Sequence, residues 1–161
     1  MTKLYLAIGI NVVMLALIPF HSLLATKASA PLYTHLVYMF GHANILHWLV
    51  NAWAIMTLHK IISARMAAVA YSTAVILSFF INQPTLGASA MIFFVFGCLT
   101  PTLLAHNRVF LLQIAIFLVA AFFLPNIAAS LHLAAYIIGI GYILACKITF
   151  QLKRLFNENQ T

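Results

Sequence analysis

Ser89 and His132 are the residues of this chain whose types best suit covalent chemistry. A serine hydroxyl becomes a nucleophile when an imidazole within about 2.6–3.2 Å takes its proton. Both residues lie inside apolar stretches, as do His42, His47 and Asn51. Polar side chains are costly in such surroundings and face either a partner or a wet cavity. Each also has an ordinary reading. A single serine in an apolar helix commonly packs against a neighbour or bonds the preceding turn. Histidines near helix ends commonly sit at an interface, which is the expectation for His21, His35, His59 and His106. His132 lies well inside its stretch with no charged neighbour, and Asn51 also needs a partner at depth. His47 and Asn51 are four residues apart and share a helix face.

The residues that are missing narrow the chemistry. Glu158 is the sole acidic residue, so an Asp–His–Ser triad is impossible and any serine chemistry must use a Ser–His dyad. The same lack excludes a two-carboxylate membrane protease and argues against a transporter that relies on an intramembrane carboxylate. No His-Glu-x-x-His zinc motif is present. His42 and His47 are five residues apart, poorly aligned for one metal on a regular helix. No metal or cofactor is expected. Cys98 and Cys146 fall in apolar stretches and read as small buried hydrophobes rather than a disulfide or metal ligands.

The elements that must position these residues follow from composition. Of 161 residues, 65% are hydrophobic and 6% charged, too little charge to cover a soluble domain. The chain is therefore expected to be an all-α polytopic membrane protein forming one domain over residues 1–161, without linker or repeat. Apolar stretches delimit six spans, at roughly 4–24, 37–59, 63–81, 87–105, 109–124 and 127–150. They break at Lys27 to Pro31, Lys60 to Arg65, Asn82-Gln83-Pro84, His106-Asn107-Arg108 and Pro125-Asn126, all turn-forming or charged residues. The first run, ending before Ala28-Ser29-Ala30, has the look of a signal peptide. At 21 residues it is longer than the usual core of about 7–15 and suits a span, so a retained helix is expected.

The formal charge of +7 comes from basic residues scattered singly between apolar runs, not from a stripe that would bind nucleic acid. With six spans, Lys3, Lys60, Arg65, Arg108, Lys147, Lys153 and Arg154 fall on one side and only Lys27 on the other. Cytoplasmic loops collect Lys and Arg, so both termini are expected in the cytoplasm. The second, fourth and sixth spans then run inward from the outer surface. His42, His47, Asn51, Ser89 and His132 fall in the outer parts of these three spans, roughly 5–15 Å below the surface at about 1.5 Å per residue. Ala135 and Gly139 on the sixth span, and Gly97 eight residues after Ser89, permit a close approach of the fourth and sixth helices. That approach would bring Ser89 to His132.

These residues resemble the motifs of the rhomboid family of intramembrane serine proteases. His42-Ala-Asn-Ile-Leu-His47-Trp-Leu-Val-Asn51 is similar to its His-x4-His-x3-Asn motif. Gly87-Ala88-Ser89-Ala90 resembles its Gly-x-Ser-Gly motif, and Ser130-Leu131-His132-Leu-Ala-Ala135-Tyr-Ile-Ile-Gly139 its Ala-His-x2-Gly-x3-Gly segment. Here Ala90, Leu131 and Ala135 replace family residues. Phe93 stands where many members carry a tyrosine stacked on the histidine, and Tyr33-Thr34 where many carry Trp-Arg. The resemblance covers essentially the whole chain and implies a minimal six-helix, bacterial-type rhomboid-like bundle in a prokaryotic inner membrane.

It also implies roles. Ser89 would be the nucleophile and His132 the general base, later the general acid. His47, Asn51 and the Ser89 backbone N–H would form the oxyanion hole. His42 would shape that hole, with Gly87 and Phe93 in support. The implied activity is hydrolysis of a peptide bond in or near a transmembrane helix of a protein substrate, on the extracytoplasmic side. The alternative is a non-catalytic relative that binds transmembrane segments. A bound metal or haem on His42, His47 or His132 is a third, more distant reading.

Overall fold

A computed structural model describes residues 2–122 and 128–158. Among these the chain is all-helical, with eight α-helices. They are α1 (Thr2–Ala16), α2 (His21–Leu24), α3 (Leu32–Val37), α4 (Ile45–Leu58), α5 (Ala64–Ser78), α6 (Ser89–His106), α7 (Arg108–Ala121) and α8 (Ala129–Glu158). Short 3-10 turns occupy Ile18–Phe20 and Tyr38–Phe40. The expected break at Pro125-Asn126, and the adjoining ends of the fifth and sixth expected spans, lie outside the described residues.

Polar side chains set several helix starts. Asn44 accepts a hydrogen bond from the His47 N–H at 2.9 Å, and Ser63 accepts one from Met66 N–H at 3.1 Å. Asn107 does the same for Phe110 at 3.0 Å. Each satisfies an amide that the first helical turn leaves unbonded.

Two expected spans are not single helices. The first bends by 50° between Thr2–Ala16 and Ile18–Leu24, because Pro19 has no N–H and its ring obstructs the preceding turn. The second does not begin as a helix at residue 37. It contains the Tyr38–Phe40 turn and an extended Gly41, and becomes α4 only after Asn44. His42 therefore precedes the helix that carries His47 and Asn51. The stretch before it, expected to be a loop, folds α3. The other helix starts and ends that are described lie near the sequence boundaries, except that α8 continues to Glu158.

At the centre, α6 and α8 pack together along their length, with α5 and α7 against both and α1 against α4. A Cβ added at Gly97 would collide with the Tyr136 carbonyl, and one at Gly139 with the Phe94 carbonyl. The two backbones thus touch where the side chains are absent, and Ala135 is fully buried beside them. Thr100 and Tyr136 hydroxyls join the helices lower down at 2.8 Å, and Cys98 Sγ reaches Gly139 O at 3.3 Å. Cys98 is buried, Cys146 is half-buried, and both are free thiols.

Two helices, α6 and the Ala129–Gln151 part of α8, are long and apolar enough to cross a membrane; the bent α1–α2 pair makes a third if counted as one. The helices α4 and α5, and Arg108–Val119 of α7, are apolar but shorter. Large apolar side chains cover much of the outer surface, among them Leu46, Leu49 and Trp53 on α4, and Leu112 and Phe117 on α7.

Candidate active site

Ser89 is the first residue of α6, and His132 the fourth of α8. The Gly97–Gly139 approach holds these two helices in parallel register, so their first turns meet. Ser89 Oγ lies 2.7 Å from His132 Nε2. Ser89 opens its helix and has no preceding helical turn whose carbonyl could take the hydroxyl proton. The imidazole Nε2 is the fitting acceptor, which assigns the ring proton to Nδ1. Nδ1 is buried without a hydrogen-bond partner. A buried donor left unmade costs about 1–3 kcal/mol. Orientation comes from packing instead: the Phe93 ring, one turn along α6, stacks on His132 at 4.7 Å and 24°.

The first turn of α6 carries further capacity. Its N-cap residue, Ala88, offers no side-chain acceptor, so the opening amides, including that of Ser89, have no capping oxygen. They sit at the positive end of the helix dipole, where a developing oxyanion is stabilised.

The loop into Ser89 is fixed from three directions. Thr26 and Thr85 exchange backbone hydrogen bonds at 3.0 and 2.8 Å. Ala28 N–H donates to Ile81 O at 2.6 Å, and Gly87 N–H to Tyr38 O at 3.0 Å. Gly87 itself takes φ 98°, a left-handed conformation that favours glycine. It also lies beneath His47: an added Cβ would stand 2.7 Å from His47 Nε2. Gly87 is thus required both for its backbone angle and for the space above it.

His47 and His42 meet edge to face, with ring centroids 5.0 Å apart. His42 is fully buried, and neither ring nitrogen makes a hydrogen bond. Asn51 is buried one turn along α4. Its Nδ2 donates to the His47 carbonyl at 2.8 Å, and its Oδ1 has no partner. The structure therefore gathers Ser89, His132 and Phe93 into one contact set and His42, His47 and Gly87 into another. The two sets join through the Gly87–Ser89 backbone. Asn51 stands next to the second set but hydrogen-bonds neither Ser89 nor His132.

Among the histidines expected at an interface, His35 is a correction: it is fully buried. Its Nδ1 contacts Ser78 Oγ at 2.7 Å, and its ring stacks on Phe79 at 3.9 Å and 10°. Ser78 lies on α5, so the contact is tertiary and left no trace in local spacing. Tyr38 was also missed, because it holds the loop with a backbone carbonyl. Asn11 had a readable signal, a polar residue in mid-span. It is buried and its Nδ2 donates to Ala7 O at 2.9 Å, while its backbone carbonyl accepts from Trp48 Nε1 at 3.0 Å, which fastens α1 to α4.

No group of three or more His, Cys, Asp or Glu residues that could hold a metal ion occurs among the described residues. No protein-family model, curated protein or solved structure matches this chain.

Proposed function

We propose that the chain is a serine endopeptidase of the membrane, cutting a peptide bond in or near a substrate's transmembrane helix with a Ser89–His132 dyad. The observation that carries this reading is the 2.7 Å contact between Ser89 Oγ and His132 Nε2 at the paired starts of α6 and α8. The proposed bilayer arrangement has six spans, both termini in the cytoplasm, and the dyad on the extracytoplasmic side. It draws support from the three candidate spans, from the three shorter apolar helices and from the side on which the basic residues gather. Lys3 donates to Lys60 O and Ile62 O at 3.4 and 3.0 Å, so the start of α1 and the α4–α5 joint share one end.

In this reading His132 Nε2 takes the Ser89 proton as Oγ attacks the substrate carbonyl. Charge then builds on the carbonyl oxygen, which the Ser89 N–H, the α6 dipole and the His47 ring stabilise. Preorganised donors of this kind contribute about 3–4 kcal/mol each. The imidazolium returns its proton to the leaving amine, and water, activated by the same ring, releases the acyl-enzyme. With no carboxylate beside the imidazolium among the described side chains, the stacked Phe93 ring holds it in place.

The test is hydrolysis of transmembrane peptides by the purified chain in liposomes, with products mapped by mass spectrometry. Cleavage that disappears in Ser89→Ala is expected. Cleavage that persists in that variant would overturn the proposal.

A further inference from the structure

A half-open cavity that includes neither Ser89 nor His132 is lined by α1, α4, α5, the start of α6 and the Tyr38–Phe40 turn. It holds about 340 Å³, at the lower end of ligand-sized pockets (~300–1,000 Å³). Its α1 wall runs from Lys3 through Ile10 to Met14, a length of ~16 Å at about 1.5 Å per residue. The lining is almost wholly apolar. Lys3, His59 and Ser63 stand at one end and Tyr71 lines the wall further along α5; the other end reaches Ala88, directly before Ser89.

From this geometry we infer that the cavity binds one acyl chain of an anionic phospholipid, with the headgroup at Lys3. Three observations select that occupant. The wall is too apolar to hold ordered water, which needs two to four polar partners. A comparable apolar cavity of ~150 Å³ takes benzene, so 340 Å³ accommodates roughly a dozen carbons in a row. Among the described side chains no carboxylate meets the charge at this end. Lys3 donates to two carbonyls and has three protons, so one remains for an anionic headgroup.

The inference rests on the proposed membrane arrangement, which sets Lys3 at headgroup level, but not on hydrolysis. A bound chain would reach Ala88, the residue before α6 begins.

The experiment is native mass spectrometry of the full chain from micelles containing equal phosphatidylglycerol and phosphatidylcholine with identical chains. Wild type is expected to keep one phosphatidylglycerol per chain, at least tenfold over phosphatidylcholine. Lys3→Gln should reduce that preference to near unity. Ala67→Phe, which projects into the cavity, should lose the lipid while the thermal transition remains. Because the headgroup preference is read on wild type, the test stands even where Ala67→Phe fails to fold. Absence of retained lipid, equal retention of the two headgroups, undiminished retention in a folded Ala67→Phe, or a dimer mass in place of the lipid would each overturn the inference. None of these outcomes depends on peptide cleavage, so this inference and the proposed function can fail separately.

Discussion

The Ser89–His132 and Ser78–His35 pairs have the same 2.7 Å contact between hydroxyl and imidazole, and both pairs are 43 residues apart in sequence. Their difference lies in where each serine stands on its helix. Ser78 ends α5, and the preceding turn takes its proton: Ser78 Oγ donates to Val75 O at 2.6 Å. Its single proton is spent, so His35 Nδ1–H must be the donor in the second contact. That imidazole cannot act as a base toward Ser78, and both side chains are fully buried. Ser89 begins α6, where no earlier helical turn competes, and it is half-buried rather than sealed. A serine–histidine distance alone does not define a nucleophile; the fate of the hydroxyl proton does.

Substitutions at five positions sharpen that contrast, in descending order of effect. Ser89→Ala and His132→Ala should each lower the cleavage rate at least ~10⁴-fold, with little change in thermal stability, because either removal disables the dyad as a unit. Rates of peptide hydrolysis in liposomes measure this. Gly87→Ala should cost ~10²–10³-fold in kcat. A methyl group at φ 98° is strained and would displace His47 from above the site, the magnitude being that of one lost oxyanion donor. Phe93→Leu removes the ring stacked on His132 and should cost roughly tenfold, equivalent to an aromatic contact of about 0.5–1.5 kcal/mol; Phe93→Tyr should retain the rate. Ser78→Ala should leave the rate within about twofold and lower stability by about 1–3 kcal/mol, the cost of stranding His35 Nδ1–H, as read by thermal denaturation. A large rate loss in Ser78→Ala would dissolve the distinction between the pairs.

Much of the site was legible because helical periodicity fixes neighbours along one element. Ser89, Gly97, His132 and Gly139 lie on regular helices, so their spacing anticipated the close α6–α8 approach. His47 and Asn51 were legible for the same reason. The sequence boundaries failed where hydropathy and backbone geometry diverge. Residues 37–44 are apolar enough to read as helix, yet Gly41 is extended and Asn44 caps the helix that follows it. Both residues were visible signals outweighed by the apolar run, as was Pro19 in the first span. His35 could not be placed from its neighbours, since Ser78 and Phe79 come from another helix. The ties from Thr26, Thr85 and Tyr38 to the loop before Ser89 use backbone atoms, which residue types do not encode.

The most direct measurement is peptide mapping after treatment of the purified chain with a fluorophosphonate, which marks a serine whose hydroxyl is activated. An adduct on Ser89 is expected, lost in His132→Ala and unaffected by His35→Phe, with Ser78 unmodified. An adduct on Ser78, or a Ser89 adduct of full yield in His132→Ala, would contradict the Ser89–His132 dyad.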